Sequence, residues 1–266
     1  MNNFKHKKSL GQNFLKNDDV IHEIVSVAGI ENEVVLEVGP GEGVLTEALS
    51  HSAQKVIAIE LDDRLVPVLE ERFGSVDNIE IIHGDILHMN IEKLIDEKIN
   101  KGKYSVVANI PYYITAPIIR LFLESNKSPE KIILMVQKEV AQRLSADPGQ
   151  MSLLAVAAQY YADVEYLFTV PREDFNPVPK VDSAIIKLKV KSQKLKTEDS
   201  KDFFRIVKIG FSAKRKTLVN NLANGLQREK KEIENMLLQQ GFNENVRAQE
   251  LSVDNWKSLT QEILTK

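Results

Sequence analysis

The sequence contains no cysteine among its 266 residues. This absence excludes disulfide bonds, cysteine-ligated zinc, cysteine-bound iron–sulfur clusters and any reaction that needs a thiolate nucleophile. Long apolar runs are also missing, because the longest, Ile132–Val136 and Leu153–Ala158, fall far below the roughly 18 residues of a membrane span. The five histidines show no pairing at metal-ligand spacing. We therefore expect neither a metal site nor a membrane segment.

Acidic and basic residues are unevenly distributed, although the net charge is only −3. Residues 1–16 carry four lysines and no acid, and residues 187–231 carry 14 basic residues against four acidic ones. Segregated positive charge favours a polyanionic partner such as nucleic acid, whereas solvated lysine-rich helices are the simpler explanation. Because no apolar stretch follows the basic first residues, we expect no secretory signal and a cytoplasmic protein.

Short strands rich in Val and Ile alternate with helical stretches between residues 20 and 145, which predicts βαβ units and a buried parallel sheet. The predicted strands are Glu33–Val38, Lys55–Glu60, Ile79–His83, Tyr104–Ala108 and Lys131–Val136. The predicted helices are Leu45–His51, Arg64–Phe73, Ile114–Glu124 and Met151–Ala162. Two later strands, Val164–Val170 and Ala184–Val190, are expected to form an antiparallel hairpin at the sheet edge.

The residue composition and its pattern change after residue 190. A polar segment, residues 191–200, reads as a linker, and the proline-free remainder repeats its apolar residues at helical spacing. The sequence therefore predicts an α/β domain at residues 1–190 and a small helical domain at residues 191–266.

A glycine loop, Gly39-Pro40-Gly41-Glu42-Gly43, separates the first predicted strand from a helix. Such a loop lets the backbone approach a ligand near the helix N-terminus, although a plain tight turn is the alternative. Dinucleotide sites show GxGxxG, whereas the third glycine here comes one residue earlier, the form found in S-adenosylmethionine-dependent methyltransferases. Glu60 and Asp85 end the next two strands, where they can accept hydrogen bonds from ribose hydroxyls and an adenine amine. Helix capping is the simpler role for each acid.

The fourth strand ends in Asn109-Ile110-Pro111-Tyr112, a tetrapeptide suited to methylating an adenine amine. That amine is a poor nucleophile because its lone pair is delocalised into the ring. The Asn109 side-chain oxygen and the carbonyl of Ile110 or Pro111 can accept its two N–H groups and so favour a pyramidal nitrogen. Pro111 fixes the backbone, and Tyr112 offers a flat face for a flipped base. Phe175 is a candidate second stacking face, with a core phenylalanine as the alternative.

With these motifs the chain resembles the ribosomal RNA adenine N6,N6-dimethyltransferases of the KsgA type over nearly its whole length. The matching segments are Gly11–Leu15, Glu37–Gly41, Asn109–Tyr112, Phe175–Ser183, Phe211–Leu218, Asn220–Leu222 and Arg247–Ser252. The resemblance implies a Rossmann-like class I methyltransferase sheet with S-adenosylmethionine as the cofactor. Its implied cofactor contacts, together with Gly41 of the glycine loop, are Asn13, Leu15, Gly39, Glu60, Asp85 and Asn109.

The resemblance also implies a target, which is a pair of adjacent adenosines in a hairpin loop near the 3′ end of small-subunit rRNA. Each adenosine would receive two methyl groups, and the rRNA substrate would be part of a pre-ribosomal particle. The enzyme is expected to be a monomer. The segment with Lys214, Arg215 and Lys216 is similar to the KsgA pattern and is expected to bind RNA. One departure is Tyr113, because an asparagine is commoner in the family after the first tyrosine.

Alternative functions stay open at this point. The erythromycin-resistance (Erm) methylases share the catalytic motifs but modify large-subunit rRNA, and their C-terminal part lacks the pattern seen here. A non-catalytic ribosome-assembly factor would keep the fold and the RNA surface but lose catalytic residues, whereas Asn109, Pro111, Tyr112 and Glu60 are all present. A DNA adenine methylase or a small-molecule methyltransferase is the third alternative. The basic C-terminal segment argues against a small substrate, whereas the choice of RNA over DNA rests on the family resemblance alone.

Overall fold

The computed structural model describes residues 13–99, 102–191 and 197–265. These residues form two compact units. The first holds the described residues up to Ala141 together with Ala162–Val190, and the second holds Gln142–Tyr161 together with the described residues from Lys191 onward. Each unit has a hydrophobic core of its own.

Nine strands lie in the first unit. They are β1 (Phe14–Leu15), β2 (Val34–Val38), β3 (Lys55–Glu60), β4 (Ile79–His83), β5 (Tyr104–Asn109), β6 (Lys131–Gln137), β7 (Ala162–Val170), β8 (Phe175–Asn176) and β9 (Ser183–Val190). Seven of them form one sheet in the order β4-β3-β2-β5-β6-β9-β7, while β1 and β8 pair antiparallel in a separate small sheet. Strands β2 to β6 run parallel, and β9 runs antiparallel to both β6 and β7. The predicted parallel sheet and its antiparallel edge hairpin are confirmed.

Four of the parallel strands, β2, β3, β5 and β6, are buried along most of their length, because helices cover both faces of such sheets and exclude water from them. The fifth, β4, lies at the sheet edge and is only partly buried. The carboxyl ends of these parallel strands meet along one edge of the sheet. Strand order reverses direction between β2 and β5, because β3 and β4 lie on one side of β2 and β5 lies on the other. Open α/β sheets bind their ligands outside such a switch point.

The helices that accompany these strands are α1 (Asp18–Ala28), α2 (Val44–Ser50), α3 (Val66–Phe73), α4 (Ile91–Ile99), α5 (Thr115–Glu124) and α6 (Lys138–Leu144). The predicted helices among them correspond to α2, α3 and α5, whereas α1, α4 and α6 were not predicted. Helix α1 nevertheless has clear local signals. The Asn17 side chain accepts from the Asp19 N–H at its start, and Gly29 in the left-handed conformation ends it.

The second unit is helical. Its helices are α7 (Leu153–Tyr161), α8 (Thr197–Gly210), α9 (Leu218–Leu226), α10 (Lys230–Gln239) and α11 (Val253–Thr265). The predicted domain boundary puts residues 142–161 in the first domain, whereas in the structure they belong to the second unit. Met151, Val156 and Tyr160 are buried in the same apolar cluster as Trp256, so α7 belongs with the C-terminal helices.

Candidate functional site

A cavity of about 340 Å³ opens at the carboxyl ends of β2, β3, β4 and β5. The segments that follow these four strands line it, together with β1. Nine of the residues singled out in the sequence lie in its wall: Asn13, Leu15, Gly39, Gly41, Glu60, Asp85, Asn109, Pro111 and Tyr112. The fold thus brings together residues that are up to 99 positions apart in the chain.

The glycine loop after β2 depends on its glycines for two different reasons. Gly39 and Gly41 have φ values of 70° and 61°, a region that side chains with a Cβ rarely adopt. A Cβ on Gly41 would lie 2.6 Å from the Phe14 ring, so the loop packs tightly there. A Cβ on Gly39 would meet no atom within 4 Å, so the backbone is open to a ligand at that position.

Glu60 holds the glycine loop in place, a role that the sequence analysis did not include. Its Oε2 accepts from the Gly41 N–H at 3.1 Å, and its Oε1 accepts from the Asp62 N–H at 2.7 Å. The residue is only 5% exposed, and burial raises the pKa of its carboxyl despite these hydrogen bonds. Since each carboxylate oxygen can accept more than one hydrogen bond, Glu60 retains capacity for a ligand hydroxyl.

Glu37 is a second acidic residue of the cavity, and the sequence analysis did not assign it a role of its own. It lies on β2, is 1% exposed, and its Oε2 makes no hydrogen bond. Burial raises the pKa of this carboxyl from an ordinary value of 4.5 to about 8. The nearby Thr46 side chain acts in the opposite direction, and the charge of Glu60 adds a smaller upward effect. An ionisable residue inside an otherwise apolar strand was the signal that could have identified it.

Asp85 follows β4 and is held by two neighbours. Its Oδ1 accepts from the Leu87 N–H at 3.0 Å, and its Oδ2 lies 2.7 Å from Nδ1 of His88. Asp85 and His88 both line the cavity, and the His88 side chain is exposed. The carboxylate is therefore oriented by its own loop before any ligand arrives.

Asn109 is the last residue of β5, and its amide has a defined orientation. The Nδ2 group donates to the Asn13 carbonyl at 3.4 Å, which leaves the side-chain oxygen as an acceptor at the cavity. Pro111 then turns the chain, with its carbonyl accepting from the Ile114 N–H at 3.1 Å. The predicted acceptor pair lies in the same wall as the glycine loop.

Tyr112 is anchored by a hydrogen bond that the sequence did not predict. Its hydroxyl lies 2.8 Å from the hydroxyl of Ser183, the first residue of β9. The ring is half-buried, and burial raises the pKa of the Tyr112 hydroxyl. This contact fixes one edge of the ring, so the orientation of the aromatic face is set by the sheet.

Phe175 does not occupy the position that the sequence analysis expected of a stacking residue. The ring is 2% exposed and belongs to the apolar core of the first unit, and the residue is not part of the cavity wall. Its backbone pairs with Leu15 in the small β1–β8 sheet. The alternative interpretation, a core phenylalanine, is the one that the structure supports.

Three predicted RNA contacts lie in the second unit, in the turn between α8 and α9. Lys214, Arg215 and Lys216 are exposed and make no ion pair with any residue in the described ranges. Thr217 then begins α9 by accepting from the Asn220 N–H. The basic residues at positions 5, 7 and 8, and the predicted motif residues Gly11 and Gln12, lie outside the described residues.

Two other expectations concern metals and membranes. Across residues 13–99, 102–191 and 197–265, no group of three or more His, Asp or Glu side chains is arranged to hold a metal ion. Within the same part of the chain, no helix combines the length and apolarity needed to cross a bilayer.

Comparison with known proteins identifies the family. A family model described as ribosomal RNA adenine dimethylase matches residues 3–265. The chain belongs to the ribosomal RNA adenine dimethylase family. Proteins named ribosomal RNA small subunit methyltransferase A are similar along almost their entire length. The one from Clostridioides difficile (strain 630) is 42% identical, covering 99% of this chain and 93% of its own, and the one from Fusobacterium nucleatum subsp. nucleatum is 43% identical, covering 96% and 97%.

Solved structures agree with membership of the ribosomal RNA adenine dimethylase family. A dimethyladenosine transferase from Plasmodium falciparum matches with a TM-score of 0.79 and 28% identity, over 95% of this chain and 98% of its own. The 23S rRNA methyltransferase ErmE matches with a TM-score of 0.76 and 28% identity, over 93% and 98%. The predicted Rossmann-like methyltransferase sheet with a helical C-terminal region is thereby confirmed.

As a ribosomal RNA adenine dimethylase, the protein is an enzyme that uses S-adenosylmethionine to dimethylate adenine in rRNA. The cavity fits this cofactor. The backbone is open at Gly39, and the carboxyl groups of Glu37, Glu60 and Asp85 line a wall that suits a ligand carrying a sulfonium cation and hydroxyl and amine donors. The unpartnered Oε2 of Glu37 is a buried acceptor of the kind that a ligand satisfies.

Proposed function

We propose that this protein dimethylates the N6 amines of two adjacent adenosines in a hairpin loop near the 3′ end of small-subunit rRNA. One observation carries the proposal, which is that Asn109, Pro111 and Tyr112 share a cavity wall with the glycine loop. The relatives named ribosomal RNA small subunit methyltransferase A support the choice of subunit. We further propose that the enzyme acts as a monomer on a pre-ribosomal particle in the cytoplasm.

The cofactor, when bound, supplies an electrophilic methyl group. We assign the ribose hydroxyls to the Glu60 carboxylate, which lines the cavity and keeps acceptor capacity beyond its two backbone hydrogen bonds. Asp85 is assigned to the adenine amine, because its carboxylate is already oriented by Leu87 and His88. Asn13, Leu15, Gly39 and Gly41 complete the binding wall.

Asn109 is assigned to the target amine. Its side-chain oxygen would accept one N–H of the adenine, and the carbonyl of Ile110 or Pro111 would accept the other. These two hydrogen bonds draw the amine away from planarity and aim its lone pair along one direction. The donation from Asn109 to the Asn13 carbonyl keeps the acceptor oxygen turned toward the cavity. No strong general base is required, since the methylated ammonium loses its proton readily.

Tyr112 is assigned to capture of the flipped base. A flipped nucleotide loses its stacking neighbours, and an aromatic ring in the pocket replaces part of that interaction. Because Ser183 holds the hydroxyl, the ring cannot turn freely when RNA is absent. The basic turn at Lys214–Lys216 is assigned to rRNA phosphates, which it can neutralise without breaking an ion pair of the described chain.

The target assignment is tested by mass spectrometry of rRNA from cells with and without the gene. The proposal expects that dimethyladenosine disappears from one small-subunit hairpin in the deletion strain and returns on complementation. Loss of dimethyladenosine from large-subunit rRNA instead would favour the Erm-type alternative. No change in either rRNA would favour a non-catalytic assembly factor.

The catalytic assignment is tested by single-turnover methyl transfer with RNA and cofactor both saturating. Asn109→Ala removes a preorganised hydrogen-bonding group, and such removals lower the rate by about 10²–10³ in other enzymes. Asn109→Asp keeps an acceptor oxygen but loses the donation to the Asn13 carbonyl, so its rate should lie between those of the alanine variant and the wild type. A wild-type rate for Asn109→Ala would exclude the proposed role.

A further inference from the structure

An exposed tyrosine stands beside the proposed catalytic segment. Tyr113 lines the same cavity as Asn109, yet 61% of it is exposed. Its side chain makes no hydrogen bond or ring contact with any residue in the described part of the chain. Its neighbour Tyr112 differs on each point, because it is half-buried and bonded to Ser183. Two consecutive tyrosines therefore have different surroundings, one anchored and one free.

The position of Tyr113 distinguishes it from ordinary exposed apolar residues. Single exposed apolar side chains are common and need no explanation. Tyr113 and Leu61, which is 44% exposed, both lie in the wall of the cavity and are therefore at its mouth. Phe175 is buried in the core, so it is not available as the second aromatic surface that a flipped-base mechanism can use.

We infer that Tyr113 is a stacking platform for the base adjacent to the adenosine in the cavity. The inference rests on the proposed function, in which the target is a pair of neighbouring adenosines. When one base leaves the loop and enters the cavity, the next base loses a stacking partner. An unpaired aromatic ring at the mouth can replace that partner, since sequence-tolerant recognition of single-stranded RNA commonly uses such rings. The two adenosines then exchange positions between the first and second dimethylation.

The inference specifies which part of Tyr113 is needed. Stacking uses the flat face of the ring, and the hydroxyl, which has no partner in the described chain, is dispensable. Tyr113→Phe therefore keeps the interaction. Tyr113→Leu keeps an apolar side chain but removes the aromatic face, so it separates stacking from simple apolar contact.

The test uses small ribosomal subunits from cells that lack the gene, and it measures their equilibrium binding to the full-length enzyme with S-adenosylhomocysteine present. Tyr113→Leu should weaken binding about 5- to 150-fold, the range that base stacking on one aromatic ring gives. Tyr113→Phe should bind like the wild type. Tyr166→Leu is the matched control, because Tyr166 lies on β7 outside the cavity wall and the control makes the same chemical change.

Two further measurements decide how a failure is interpreted. Calorimetric affinity for S-adenosylhomocysteine shows whether each variant is folded with an intact cofactor site. Single-turnover methylation should show the Tyr113→Leu defect mainly in the subunit concentration that gives half the maximal rate. Wild-type binding by Tyr113→Leu, or an equal loss in Tyr113→Phe, would overturn the inference alone. Absence of methylation by the wild-type enzyme would overturn the proposed function as well.

Discussion

Glu37 is expected to release a proton when S-adenosylmethionine binds. Burial raises the pKa of this carboxyl to about 8, so it is largely neutral in the cofactor-free protein at pH 7. The cofactor brings a sulfonium cation into the cavity that Glu37 lines. A positive charge near a carboxyl favours its ionised form, and binding should therefore lower the pKa of Glu37.

The size of the effect follows from the pKa. A group with a pKa of about 8 is about nine-tenths protonated at pH 7, so complete ionisation on binding would release up to about 0.9 proton. By linkage, the affinity for the cofactor should then rise with pH, by at most about tenfold per unit below pH 8, and level off above it. A smaller release means that the cofactor lowers the pKa only in part.

The assay is calorimetric titration at pH 7 in two buffers that have different heats of ionisation. The difference in apparent binding enthalpy gives the number of protons released. Glu37→Gln has the same shape but cannot ionise, and its binding enthalpy should therefore vary much less with the buffer. A wild-type enthalpy that is independent of buffer, or an equal release from Glu37→Gln, would refute the reasoning.

The remaining predictions concern stability, the cofactor loop, the target base and RNA. Because the folded chain holds a proton on Glu37 between pH 4.5 and 8, the free energy of unfolding should fall as pH rises across this interval, and denaturant titrations of Glu37→Gln should show a flatter profile. Glu60→Ala should weaken cofactor binding in calorimetry and lower the free energy of unfolding by about 1.5–3 kcal/mol for each charge-assisted hydrogen bond lost. Tyr112→Phe should keep most of the single-turnover rate, and a loss larger than that of Ser183→Ala would mean that the hydroxyl does more than anchor the ring. Replacing Lys214, Arg215 and Lys216 with glutamine should flatten the salt dependence of RNA binding. The slope of log K against the logarithm of the salt concentration should become less negative by about 0.7–0.9 for each phosphate contact removed. An unchanged slope would argue against this turn as an RNA contact.

The cavity wall was predictable because it depends on strand ends. Each of β2 to β5 is a short apolar segment, and parallel pairing brings residues at the carboxyl ends of such segments to one edge of the sheet. Gly39, Glu60, Asp85 and Asn109 each lie at a strand end or within two residues of one, so a correct strand assignment was enough to place them together. No long-range side-chain contact had to be known in advance.

Features that depend on tertiary contacts were not predictable in this way. Helix α7 follows the α/β pattern directly in sequence, and nothing local shows that Met151 and Tyr160 are buried in the core of the second unit. The second role of Glu60 is similar. A carboxylate at a strand end fits both ligand binding and loop support, and only the two backbone N–H groups at 3.1 and 2.7 Å show that it supports the loop.

The segment from Asp174 to Ser183 shows why the predicted stacking role of Phe175 was wrong. An aromatic ring among prolines fits a stiff stacking loop as well as it fits a core position, and the deciding contact is with β1, about 160 residues earlier in the chain. Asp174 supports the same contact, because its side chain accepts from the Asn17 amide. At the far end of the segment, Ser183 bonds to Tyr112. The segment therefore supports the cavity without lining it, because one end pairs with β1 and the other holds the Tyr112 ring. Substitutions within it should change the positions of cavity residues without removing any group that lines the cavity.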